Sequence, residues 1–171
     1  FDKIARVMGL GYPGGGPLDR ASQGGDDKAF TLPRVHIHDA PLDMSFSGLK
    51  TAVLNAVNQA EMKGEIISVP DMAASFQERI ASILADKLLL AAADTKAGTL
   101  CLAGGVAANG RLRSLVNEGA QKLGATLCLP KPAFCGDNAA MVGAQGYYEF
   151  QSGNIAGADL NAVASLPIDS E

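Results

Sequence analysis

The sequence predicts an α/β chain, rich in helix and built on a short parallel sheet. Three observations lead there. Residues 99–150 alternate apolar run, amphipathic helix, apolar run and helix with short joins, the pattern of a βαβ unit. Upstream, Met72, Phe76, Ile80, Ile83, Leu84 and Leu88 recur with the 3.6-residue period of a helix that buries one face. The 171 residues are 47% hydrophobic and 19% charged, the balance of a packed domain rather than a disordered tail.

The elements follow in order. Ile4, Val7, Met8 and Leu10 have helical spacing, closed by Gly9 and Gly11. Tyr12-Pro13-Gly14-Gly15-Gly16-Pro17 reads as a turn without helix or strand propensity, and Gly24 to Asp39 as a polar surface loop. Ser47 to Asn58 reads as a short helix. Ser68-Val69-Pro70-Asp71 is an N-cap region for a long helix that runs to Asp94 and ends at Ala97-Gly98. Thr99 to Ala103 is a buried strand bounded by Gly104-Gly105. Asn109 to Leu123 is an amphipathic helix with Leu112, Leu115, Val116 and Leu123 on one face, stopped by Gly124. Thr126 to Leu129 is a second strand, and Asp137 to Phe150 a last helix. A stable open sheet typically has about four to six strands. The remaining strands are therefore expected upstream of Phe1, and the opening Phe1-Asp2-Lys3 is read as a cut inside a longer protein.

Composition narrows the function classes. No apolar run approaches the ~20 residues of a membrane span. Cys101, Cys128 and Cys135 lack CxxC spacing; the first two sit in apolar runs and are read as buried free thiols of a reducing, cytoplasmic compartment. A net charge of −4 rules out nucleic-acid binding by bulk electrostatics. Arg111, Arg113, Lys122 and Lys131 are the one loose basic group near a plausible active face, and they are read as solvated helix charges.

Two motifs carry chemistry. In Leu102-Ala103-Gly104-Gly105-Val106-Ala107-Ala108-Asn109 a strand ends in paired glycines and leads into a helix. Glycines let backbone approach a ligand, and a helix start offers N–H groups to anionic oxygens; a ligand-free tight turn with Asn109 as N-cap is the alternative. In Cys135-Gly136-Asp137-Asn138-Ala139-Ala140-Met141 an acid follows the second strand at the start of a helix, where it either ligates a metal or caps. Carboxyl ends of parallel strands are the ligand-binding rim of open sheets, so Asn109 and Asp137 are expected on one rim. Neither Ser45 nor Ser47 has a neighbouring acid or His to make it a nucleophile. His36 and His38 lack the i, i+4 spacing of a helical zinc site. Asp2 and Asp19 flank the Gly-rich turn and can reach one pocket, though each read separately passes as surface charge.

These segments, together with Phe1-Asp2-Lys3, Tyr12-Pro13-Gly14-Gly15, Ser45-Phe46-Ser47-Gly48-Leu49-Lys50 and Ala73-Ala74-Ser75-Phe76-Gln77-Glu78, occur in the order known for the TsaD family of tRNA threonylcarbamoyltransferases. The chain resembles the C-terminal part of that family, once labelled O-sialoglycoprotein endopeptidases. The resemblance implies an actin-like ATPase fold (ASKHA, RNase H-like) with its N-terminal domain absent. The helical stretch of about residues 40–98 would be an inserted region. It implies transfer of threonylcarbamoyl from threonylcarbamoyl-AMP to N6 of the adenosine next to the anticodon, in tRNAs reading ANN codons. Asp2, Gly15, Asp19 and Asn109 match positions that hold the adenylate, or an ATP-type nucleotide, and Asp137 matches a ligand of the metal, iron or zinc. Gly16 departs from the pattern, since many relatives go directly from the Gly pair to Pro. No residue is assigned a catalytic role, and the chain is not expected to act without upstream sequence. Implied partners are tRNA, a paralogous scaffold subunit and a small ATPase, with no membrane. The rival readings are a metal-dependent glycoprotease and a non-catalytic actin-like scaffold.

Overall fold

A 27-residue helix, Val69–Thr95, organises the computed structural model, which describes residues 1–35 and 37–165. The described residues form two compact units, Phe1–Gly136 and the unit that begins at Asp137. The first contains α1 (Asp2–Val7), α2 (Gly15–Ala21), α3 (Leu49–Lys63), α4 (Val69–Thr95), β1 (Thr99–Cys101), α5 (Gly110–Leu123) and β2 (Thr126–Cys128). The second holds α6, Ala139–Ser152.

Helix α4 passes through three apolar clusters in succession. Its first turns bring Met72, Ala73, Phe76 and Ile80 against Ile4 and Leu18 of α1 and α2, Leu32, and Leu49 and Val53 of α3. Ala81 and Ala85 then meet Leu112 and Val116 of α5, and Ala92 meets Leu100 and Ala120. The expected core stripe is present at Met72, Phe76 and Ile80, while Leu84 is half-buried between the first two clusters. Small residues on the facing surfaces let α4 and α5 approach closely: a Cβ at Gly119 would lie 2.1 Å from Leu89 Cδ1.

Strands β1 and β2 are parallel, with Thr99, Leu100 and Cys101 opposite Thr126, Leu127 and Cys128. Their burial departs from the sequence expectation. Leu100 is buried and Leu127 half-buried toward α4 and α5, whereas Cys101 and Cys128 are exposed. The helices cover one face of each strand, so alternate side chains point away from them. Cys135 is the buried thiol.

Other departures have local causes. Gly15-Gly16-Pro17, read as turn, opens α2. Pro17 falls in the first turn, where N–H groups have no intrahelical acceptor to lose. Leu123 is 46% exposed because it sits at the last turn of α5, beyond the reach of α4. Arg113 is no solvated charge: it donates to the carbonyls of Ala107 and Pro130, 2.6 Å each, and to Cys135 Sγ at 3.2 Å. Arg111 pairs with Glu78, Nε to Oε2 2.5 Å, and this partner holds the guanidinium above its usual range. His36 lies outside the described residues.

The start of α4 also anchors the long loop before α3. Asp71 accepts the Asp26 N–H at 2.9 Å, and Ser75 Oγ accepts the Phe30 N–H at 3.1 Å while donating to the Asp26 carbonyl. The Asp26 N–H, and after it the Ser68 hydroxyl, hold the Asp71 carboxyl below the usual carboxylate range. A carboxyl depressed in the folded state adds stability above its unfolded value of about 3.9, and that contribution is lost as pH falls through the folded value. Asp71→Ala should therefore melt below wild type at pH 7, with the gap closing under about pH 4. Paired thermal melts across pH would check this, and a gap that widens in acid would contradict it.

Candidate functional site

Asp2 is the first residue of α1, and its Oδ1 accepts the Gly14 N–H at 2.7 Å. That bond ties the start of α1 to the residue preceding α2. Gly14 must be a glycine: an added Cβ would lie 2.5 Å from Ala5 Cβ and 2.8 Å from Asp2 Cα. One turn into α2, Asp19 stands four residues after Gly15 and so on the same helix face. From the far end of the unit comes the short 3-10 turn Gly105–Ala108, followed by Asn109 at the N-cap of α5.

These pieces enclose a cleft of about 430 Å³ lined by Phe1, Asp2, Gly15, Gly16, Asp19, Gly105, Val106, Ala108 and Asn109. The size is that of a small-ligand site. Asp2, Gly15, Asp19 and Asn109, singled out in the sequence, all lie on its wall, although they span residues 2–109. Among the described residues, chain neighbours and the helix's own backbone aside, nothing lies within 4 Å of a Cβ built at Gly15 or Gly105, so their missing side chains leave open volume. Gly16 is partly engaged, with Arg20 Nη1 at 3.4 Å from such a Cβ.

The chemistry of the wall is that of an acceptor of hydroxyl groups. Two carboxylates line it, and a carboxylate takes O–H or N–H donors and gives none. Asn109 is both cap and bridge: its Oδ1 accepts the Leu112 N–H at 3.0 Å, and its Nδ2 donates to Asp19 Oδ1 at 3.3 Å and to Gln77 Oε1 at 3.0 Å. The cap is thus present, and the same side chain reaches the cleft wall at Asp19.

Gln77 and Gly14 were not picked out as site residues by the sequence reading. Gln77 carried a faint signal, a long polar side chain directly after Ala73-Ala74-Ser75-Phe76 on a helix that buries that stretch. Gly14 carried none that separates it from Gly15 and Gly16.

Asp137 opens the second unit. The helix cap is provided by its neighbour, since Asn138 Oδ1 accepts the Met141 N–H at 2.9 Å. Among the described residues no three His, Cys, Asp or Glu side chains gather as metal ligands. The described side chains therefore do not make up a metal site by themselves, because such sites need several ligands in fixed geometry. Among the same residues no helix is long and apolar enough to cross a membrane.

Comparison with known proteins gives one consistent answer. The family model for TsaD, tRNA N6-adenosine threonylcarbamoyltransferase, matches residues 1–144. The chain is 50% identical over 166 residues to the tRNA N6-adenosine threonylcarbamoyltransferase of Desulfitobacterium hafniense strain Y51, covering 97% of this chain and 49% of that protein. It is 45% identical over 168 residues to the protein of the same name from Clostridium botulinum strain 657, with 98% and 49% covered. A third relative of that name, from Clostridium perfringens strain SM101, is 45% identical over 167 residues, with 97% and 49% covered. The chain spans about half the length of the curated relatives it matches.

Proposed function

This chain belongs to the TsaD family, and on that premise we propose that its cleft holds the adenylate of threonylcarbamoyl-AMP while the threonylcarbamoyl group passes to N6 of the adenosine next to the anticodon of tRNA. One observation carries the reading: Asp2, Asp19 and Asn109 meet around a single cleft whose walls at Gly15 and Gly105 are bare backbone. Ribose hydroxyls are the donors two carboxylates suit, and bare backbone admits the flat base and the phosphate closely. In the reaction the N6 amine attacks the carbamoyl carbon, AMP leaves with the bonding pair, and a proton is released from nitrogen. The residues of this chain bind and orient the leaving nucleotide. The alternation of strand and helix around β1 and β2 supports an actin-like fold with the cleft at the sheet rim.

Asp137 is assigned one ligand position of a divalent metal, iron or zinc. A metal bound there, with further ligands from outside this chain, would polarise the carbonyl under attack. The chain's negative net charge leaves tRNA to be held by a local basic patch or by other parts of the assembly. A paralogous scaffold subunit and a small ATPase are the partners this family reading brings, in the cytoplasm where tRNA is modified.

The test uses the full-length gene product with threonylcarbamoyl-AMP and an ANN-decoding tRNA. Nucleoside mass spectrometry is expected to detect N6-threonylcarbamoyladenosine, at a rate reduced at least about tenfold by Asp19→Ala, the loss of one charge-assisted hydrogen bond. No modified nucleoside with its partners present, or an unchanged rate in Asp19→Ala, would overturn the reading.

A further inference from the structure

We propose that Gln77 is a positioning residue of the cleft: its side-chain carbonyl fixes the Asn109 amide, which in turn holds the Asp19 carboxylate in the pose that meets the ribose. The inference rests on the adenylate reading above and adds to it a residue on a different element, 32 positions from Asn109 in sequence.

The hydrogen bonds admit one orientation. The Leu112 N–H can only donate, so the atom of Asn109 that receives it is the amide oxygen. The amide nitrogen must then face Asp19 and Gln77, and Gln77 must present its own oxygen. Both N–H groups of Asn109 are engaged in this way. Asn109 therefore serves the ligand by fixing Asp19, which keeps its second carboxylate oxygen for a hydroxyl.

What makes Gln77 a fixed reference is its setting. The residue is only 8% exposed. Its neighbours on α4 are locked on both sides, Phe76 in the core and Glu78 in the ion pair with Arg111. A buried amide held by such a helix has little rotamer freedom, and the bond it makes spans from α4 to the N-cap of α5. Ordinary packing would be served as well by methionine or leucine at this position, which have similar volume and no acceptor.

The experiment compares AMP with 2′,3′-dideoxy-AMP by calorimetric titration of the full-length gene product. Wild type should prefer AMP, and Asp19→Ala should remove most of that preference. Gln77→Met should weaken AMP about tenfold, one hydrogen bond to a charged group's partner, while leaving dideoxy-AMP unchanged. In the Asp19→Ala background, Gln77→Met should add nothing further, because its effect runs through Asp19. Asn109→Ser reads the same bridge from its other end and covers the case in which Gln77→Met does not fold. It retains a helix cap, removes the amide donors, and should also erase the preference. Equal weakening of both nucleotides in Gln77→Met, additive losses in the double variant, or a preference that survives in Asn109→Ser would overturn the positioning role with the adenylate reading intact. A wild type that binds both nucleotides equally would instead overturn the ribose reading and the inference that rests on it.

Discussion

Replacing Phe76 with alanine should lower the stability of the first unit by about 3–5 kcal/mol, the usual cost of emptying a large aromatic site in a core. The ring is 3% exposed and lies in the cluster that joins α1, α2, α3 and α4. It meets the Phe1 ring edge to face, with centroids 5.7 Å apart, a geometry that favours aromatic pairs. Four elements converge on it, so the surroundings cannot collapse into the space without moving a helix. Phe76→Leu, which keeps most of the volume, should lose less than half as much. Urea unfolding followed by circular dichroism would measure both, and a loss under about 1 kcal/mol for alanine would mean that the site relaxes freely.

Asp2→Ala should affect stability and ligand affinity together. The Gly14 N–H loses its acceptor, and because Gly14 is enclosed by Ala5 and Asp2 it cannot turn to another. An unsatisfied buried donor costs about 1–3 kcal/mol. Ligand affinity should fall by at least about tenfold, since one of the two carboxylates of the cleft is gone. Asp2→Asn separates the effects. It restores an acceptor for Gly14, so thermal stability should return to near wild type, while its weaker acceptance from a hydroxyl leaves AMP binding reduced. If Asp2→Asn fully restored both, the carboxylate charge would have no part in binding.

The long helix was legible because its apolar residues repeat at 3.6, a period only a helix turns into one face. The same arithmetic failed at Leu123, since a periodic stripe says nothing of where the facing helix stops. The strands are legible from apolar composition, which extends them to Ala103 and Leu129 beyond their three hydrogen-bonded residues, and a run that short hides the alternation that exposes Cys101 and Cys128. In the cleft, Asp2 and Asp19 were legible as two acids flanking one Gly-rich turn and Asn109 as the residue that opens the helix after the paired glycines, while their role toward an adenylate came with the family's motif order. Gly14 and Gln77 were missed for a physical reason. One is required by an approach of 2.5 Å from Ala5, the other by a bond across to Asn109, and both depend on which segments fold against each other.

Helix α4 has a consequence for how the cleft responds to heat. One unbroken rod of ~40 Å carries the core at Phe76, the cleft reference at Gln77 and the seam with α5. The middle of the rod cannot fray as its ends do, so amide exchange there must wait for the whole unit to open. A nucleotide held in the cleft would raise the melting midpoint of the first unit.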